Sequence, residues 1–145
     1  MRKRKTRKVS LAEKILNNLD GDWMSLEDVC ESLFGYAYTD GGRVVRNELD
    51  KKVRRAMSGA VKLGLENNII IIPKRRPCKN DPRKKFIIQA WKKADDSDEG
   101  LIFDELMYKL GMGASHINAF NSLANKVVQL ELFPAEKLME LNQNN

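Results

Sequence analysis

The sequence predicts a mainly α-helical fold with one small β-hairpin and a helical C-terminal extension. Apolar residues recur at helical spacing through the first 67 positions, behind two serine-led helix starts. A β-branched run, Ile69–Ile72, then breaks that period and finds a partner strand in Phe86–Trp91. Helical spacing returns after the acidic stretch Asp95–Glu99.

The first helix is expected to start at Ser10, whose hydroxyl can accept the Glu13 amide in a capping box. Leu11, Ile15 and Leu19 share one face, and Asp20-Gly21-Asp22 closes the helix. Ser25 with Asp28 forms a second capping box, followed by the stripe Leu26, Val29, Cys30 and Leu33, which Gly35 stops. Tyr36–Gly42 reads as a loop. The third helix runs from about Arg43 to Asn67, with Leu49, Val53, Ala56, Met57, Ala60 and Val61 on its apolar face. Asn47, Lys51, Arg54, Arg55, Ser58 and Lys62 fall opposite, a cationic face with small polar neighbours that suits a phosphate-lined groove.

Between the two strands, Lys74–Lys85 holds seven Lys/Arg, Pro77, Pro82 and an Asn80-Asp81 turn, so the hairpin has a long basic tip. Beyond the acidic boundary, Leu101, Ile102, Leu106 and Leu110 mark one helix, ended by Gly111 and Gly113. Ser115 is expected to cap another, with Ile117, Phe120, Leu123, Ala124 and Val127, and Pro134 to open a short last helix through Leu141. The chain so divides into a flexible basic arm (1–9), a body (10–93) and an acidic helical tail (94–145).

Charge follows the same division. Of the 145 residues, 1–93 carry 23 Lys/Arg and 11 Asp/Glu, whereas 94–145 carry 3 and 9. A basic body with an acidic tail points to a polyanion partner for one part and a separate task for the other; two solvated surfaces shielding each other is the plainer alternative. The longest aliphatic run is four residues, so no membrane span is expected. The start of the chain, with six Lys/Arg in eight residues, does not read as a secretory signal. Two cysteines and one histidine cannot form a Cys/His zinc site, and Cys30 reads as a small core residue. His116 follows an expected cap, and the Asp95–Glu99 cluster lacks the glycine and alternating ligands of an EF-hand. No enzyme activity and no cofactor is expected, and the expected location is cytoplasmic, nucleoid-associated when bound to DNA.

Three helices followed by a basic hairpin resemble the winged helix-turn-helix superfamily, over Ser10 to about Lys93. The resemblance rests most on Val53-Arg54-Arg55-Ala56-Met57 and on Leu63-Gly64-Leu65, a recognition helix ending in a glycine just before the first wing strand. It departs from the family in the length of Tyr36–Gly42. It implies that the third helix enters the major groove of double-stranded DNA, with Asn47, Lys51, Arg54, Arg55, Ser58 and Lys62 in contact with it. Arg75, Arg76, Lys79, Arg83, Lys84 and Lys85 of the wing, and Arg2, Lys3, Arg4, Lys5, Arg7 and Lys8 of the arm, would grip flanking phosphates or a minor groove.

Gln129-Leu130-Glu131-Leu132-Phe133 is similar to the peptide by which bacterial replication and repair proteins dock on the DNA sliding clamp. The resemblance implies that Leu130, Leu132 and Phe133 fill an apolar pocket while Gln129 makes polar contacts; the same residues could instead finish the preceding helix. The expectation is a double-stranded DNA-binding protein, a transcription regulator or replication-associated factor of a bacterium, phage or plasmid. Homodimerisation through Leu101–Val128 is expected from an apolar surface too large for so short a tail to bury on itself. The alternatives are a winged-helix adaptor that recruits the clamp, and a small nuclease or RNA-binding factor.

Overall fold

The computed structural model describes residues 9–77 and 86–132 of the chain. The fold is mainly helical with a small three-stranded antiparallel sheet. Its elements in order are α1 (Leu11–Asn18), β1 (Met24–Ser25), α2 (Leu26–Phe34), α3 (Tyr36–Thr39), α4 (Gly42–Glu66), β2 (Ile71–Pro77), β3 (Phe86–Lys93), α5 (Glu99–Gly111) and α6 (Ile117–Gln129). Single 3-10 turns, Asp96–Asp98 and Gly113–His116, precede α5 and α6.

The caps act where the serines stand. Ser10 Oγ accepts the Glu13 amide at 3.1 Å. Ser25 and Asp28 exchange both bonds of a capping box, at 3.0 and 3.1 Å, each satisfying an amide that helix geometry leaves without a partner. Ser115, expected to cap α6, instead lies within the 3-10 turn, and His116 holds the cap position.

Residues 36–42, expected to be a loop, contain the single turn α3. The amides of Tyr38 and Thr39 bond the Gly35 carbonyl, the Asp40 amide bonds that of Tyr36, and Tyr38 is buried. α4 runs to its cap at Asn67, where its apolar period predicts, and Gly64, which the winged-helix resemblance set at the end of the helix, lies two residues inside it. The stop is made at Asn67-Asn68: the amide of Ile69 reaches the Gly64 carbonyl at 2.7 Å and that of Asn68 reaches Leu65 at 3.2 Å. With Asn68 at φ 63° this is a Schellman cap carrying asparagine where glycine is commoner. Gly64 serves close approach, since a Cβ there would lie 2.9 Å from the Ile69 carbonyl oxygen.

β3 is the central strand, paired with β1 on one side and β2 on the other. β2 extends to Pro77, so Lys74, Arg75 and Arg76 belong to the strand and not to the hairpin tip. Pro73 and Pro77 are accommodated because β2 is an edge strand. The register slips between Lys74 and Arg75, which face Ala90 and Ile88 across the ladder, leaving Gln89 as the extra residue of a bulge.

Around Ile71, Ile72 and Trp91 the sheet is covered on both sides, while Ile87 and Ile88 toward the hairpin tip are exposed. On one side Ile71 and Trp91 join Ile15, Leu16, Val29, Cys30, Val53, Met57 and Ala60 from α1, α2 and α4. On the other, Ile70 and Ile72 join Ile102 and Leu106 of α5 and Phe120, Leu123 and Val127 of α6, with Trp23 and Leu65 alongside. Composition changes at residue 94, but the packing is continuous across it. The apolar surface that motivated the dimer expectation is thus covered within the chain, leaving Met107, Ile117 and Val128 as the exposed large apolar residues of 94–132. Among the described residues no helix is long and apolar enough to cross a membrane.

Two glycines of α4 should respond to alanine with opposite signs. Gly64→Ala should destabilise by ~1–3 kcal/mol, because the new methyl meets backbone that is not free to move. Gly59→Ala meets only the Ala12 methyl at 3.5 Å and should stabilise by ~0.5–1 kcal/mol through helix propensity. Urea denaturation reads both; a gain at Gly64 would show that the close approach relaxes at little cost.

Candidate nucleic-acid interface

A helix of 25 residues packed on one side must present its other side to solvent, and α4 does so with mostly polar residues. Val53, Met57, Ala60 and Gly64 are buried against α1, α2 and the sheet. Asn47, Lys51, Arg54, Arg55, Ser58 and Lys62 are all exposed. At 100° per residue these six fall within an arc of about 100°, so the structure brings them together as one stripe. Lys51 makes a loose pair with Glu48 at 3.8 Å, both well exposed. Arg54, Arg55 and Lys62 have no ion-pair partner among the described residues.

The amino end of α4 is fixed by a polar junction. One oxygen of Asp50 accepts the Tyr38 hydroxyl at 3.0 Å and the Cys30 thiol at 3.4 Å, so α2, α3 and α4 meet at a single carboxylate. Arg46 donates to the carbonyls of Tyr38 and Thr39, holding the end of α3 with a cation where the helix dipole favours one. Burial and the bond to Asp50 push the Cys30 thiol up to about 12, and the same two causes push the Tyr38 phenol to about 12. Both groups are held protonated, so Cys30 is no nucleophile. Their contribution to stability is present below pH 9 and is lost as pH rises toward 12. Beside this junction lies a polar cleft of about 480 Å³, lined by Arg43, Arg46, Asn47 and Asp50 among others. Sequence reasoning missed Arg43, although its place four residues before Asn47 puts it on the edge of the same stripe.

The wing residues divide. Arg76 is exposed. Arg75 is turned to α5, where its guanidinium meets both oxygens of Glu105 and stacks 3.7 Å from the centre of the Tyr108 ring. Lys109 bonds the same carboxylate at 2.8 Å. Arg75 is only 17% exposed, which removes it from the cations available to an external phosphate. Lys74 and Lys92 flank the Trp23 ring at 5.8 and 5.4 Å, and Lys92 also pairs with buried Asp98 at 2.9 Å. Nothing in the local sequence signals the pair of Arg75 with Glu105, which stands thirty positions away.

Lys79, Arg83, Lys84 and Lys85 of the wing tip and Arg2, Lys3, Arg4, Lys5, Arg7 and Lys8 of the arm lie outside the described residues. So does Phe133 of the clamp-like peptide. The rest of that peptide ends α6: Gln129 is its last residue, Glu131 takes φ 54°, and the Leu132 amide bonds the Val127 carbonyl at 3.1 Å. Leu130 and Leu132 pack on the core between the sheet and α5–α6. This is a second Schellman cap, which would have to open before the segment could be read in extended form. Among the described residues no group of three or more His, Cys, Asp or Glu is placed to hold a metal ion. The chain matches no protein-family model, no curated protein and no solved structure.

Two outcomes test the junctions. Glu105→Ala leaves Arg75 and Lys109 half-buried without their counterion and should cost ~3 kcal/mol, while Arg75→Met with Glu105→Met should fall closer to the parent. Equal losses in the single and double variants, read by urea denaturation, would mean the pair's charge is unimportant. Iodoacetamide at pH 9 should leave Cys30 unmodified in the native protein and label it in urea, as peptide mass mapping would show; native labelling at the unfolded rate would contradict the buried, hydrogen-bonded thiol.

Proposed function

We propose that this chain binds double-stranded DNA, laying the exposed face of α4 in the major groove and the hairpin along the flanking backbone. The observation that carries the reading is the α4 stripe itself. Asn47, Lys51, Arg54, Arg55, Ser58 and Lys62 stand exposed together, on a helix whose opposite side is held by two other helices and a sheet. A groove about 12 Å wide admits one helix, and arginine, lysine and asparagine are the residues that pair with guanine and adenine edges there.

Two further features support it. The order helix, short strand, helix, long helix, hairpin is similar to that of winged-helix proteins once the single turn α3 is set aside, with the hairpin following directly on the groove-facing helix. The seam between body and tail occupies Arg75 and Lys92 with Glu105 and Asp98, whereas Arg54, Arg55 and Lys62 stay without such partners among the described residues. Three of the cations left without such a partner therefore stand on the proposed contact face. In this reading Arg54 and Arg55 contact base edges or adjacent phosphates, Asn47 reads adenine, and Arg76 continues the contact onto the backbone with Lys79, Arg83, Lys84 and Lys85. Arg75 orients the wing through Glu105.

Fluorescence anisotropy of a labelled duplex over a salt series tests this. With roughly five phosphates neutralised, affinity should fall ~500-fold between 50 and 200 mM salt. Arg54→Ala with Arg55→Ala should weaken binding and flatten the salt slope by up to about two, whereas Arg75→Met should leave the slope unchanged. Absence of duplex binding at 50 mM salt, or better competition by single-stranded DNA or RNA, would overturn the proposal.

A further inference from the structure

The α4 stripe contains one residue that charge does not explain. Val44, in the first turn of the helix, is 77% exposed and belongs to neither core. A β-branched residue is a weaker helix former than the lysines and glutamates common on solvated faces, so at this position valine helps neither the helix nor its packing. Its neighbour Val45 differs: it points about 100° away and lies over Gly41. Val44 falls inside the arc of the cationic stripe, three residues before Asn47 and seven before Lys51, with Glu48 at the border held by Lys51 at 3.8 Å.

An apolar side chain in such a stripe has one good match in a major groove. The base edges exposed there are hydrogen-bond donors and acceptors, except for the C5 methyl of thymine. Valine set over any other edge would cover a polar group without bonding it, which is unfavourable. The spacing to Asn47 narrows the match further. Three residues of helix advance about 4.5 Å, and one base step along a strand is about 3.4 Å, so Val44 and Asn47 reach the same base pair or adjacent ones. Asparagine pairs with the N6 and N7 edge of adenine.

We propose that Val44 is a specificity-determining residue, packing on a thymine methyl in the base pair that Asn47 reads or in the one beside it. The amino-terminal half of α4 then selects A·T, and Arg54 and Arg55 extend the contact from there. This inference rests on the proposed binding of duplex DNA by α4.

The test uses the full chain and a duplex selected by it from a random pool. Each thymine of the selected site is replaced in turn by deoxyuridine, which removes the methyl and nothing else. One replacement should weaken binding about fourfold, the worth of burying one methyl group. Val44→Ala, exposed and helix-compatible, should bind the thymine duplex about fourfold more weakly than the parent and should no longer distinguish uracil at that position. A parent indifferent to every replacement, a selected site with no thymine, or discrimination that survives in Val44→Ala would each overturn the assignment. The salt series on the same duplex separates the two levels: steep salt dependence without thymine discrimination refutes the role of Val44 and leaves the reading of α4 standing.

Discussion

Side chains alternate between the two sides where the chain enters the sheet, and Ile69–Ile72 leads into β2 with four isoleucines in a row. Ile69 and Ile71 therefore go to the core formed with α1, α2 and α4, and Ile70 and Ile72 go to the core formed with α5 and α6. Fully burying an isoleucine is worth ~1.5–3 kcal/mol, so leaving the second pair wet would cost a large part of a typical domain's stability. A basic body alone would have one such side uncovered. The return of the chain as α5 and α6 is the answer to that constraint. The abrupt end of α4 at Asn67-Asn68 belongs to it as well, since it delivers the run to the sheet in register.

Polar groups settle how the layers meet. Asp98 and Glu105, the two buried acids among the described residues, both come from the acidic half of the sequence, and both find cations of the sheet, Lys92 and Arg75. A buried carboxylate without its cation is strongly unfavourable, so these pairs fix where the helices sit more than they add to net stability. On the far side of the first core the junction at Asp50 performs the same service for the amino end of α4, with neutral donors from Cys30 and Tyr38. The contrast in charge between the two halves is thus in part an internal pairing.

Much of this was legible in the sequence because it is local. The Ser25–Asp28 box, the apolar period of α4, the order of the longer elements and the exposure of the stripe from Asn47 to Lys62 all follow from residues close in the chain. What escaped was set from a distance. β1 is two residues long and exists only because Ala90 and Trp91 lie beside it. α3 is held by Arg46 and Asp50 from the next helix. Gly64 has the local look of a stop, yet its reason is the backbone of Ile69 pressed against it. Arg75 resembled its basic neighbours, and only the fold brings Glu105 to it. One long-range signal was present: four consecutive aliphatics leading into a strand require cover on two sides.

Sharing β2 and β3 between two cores has a consequence for how such a chain can change over generations. A break after Lys93 would strip the cover from Trp23, Ile70 and Ile72 and take the counterions from Lys92 and Arg75 in one step. Neither half is a module that recombination could lend to another protein and leave the remainder folded. Substitutions on the open face of α4 can change what the helix contacts and leave the fold intact, while the acidic helices behind the sheet are bound to be inherited with it.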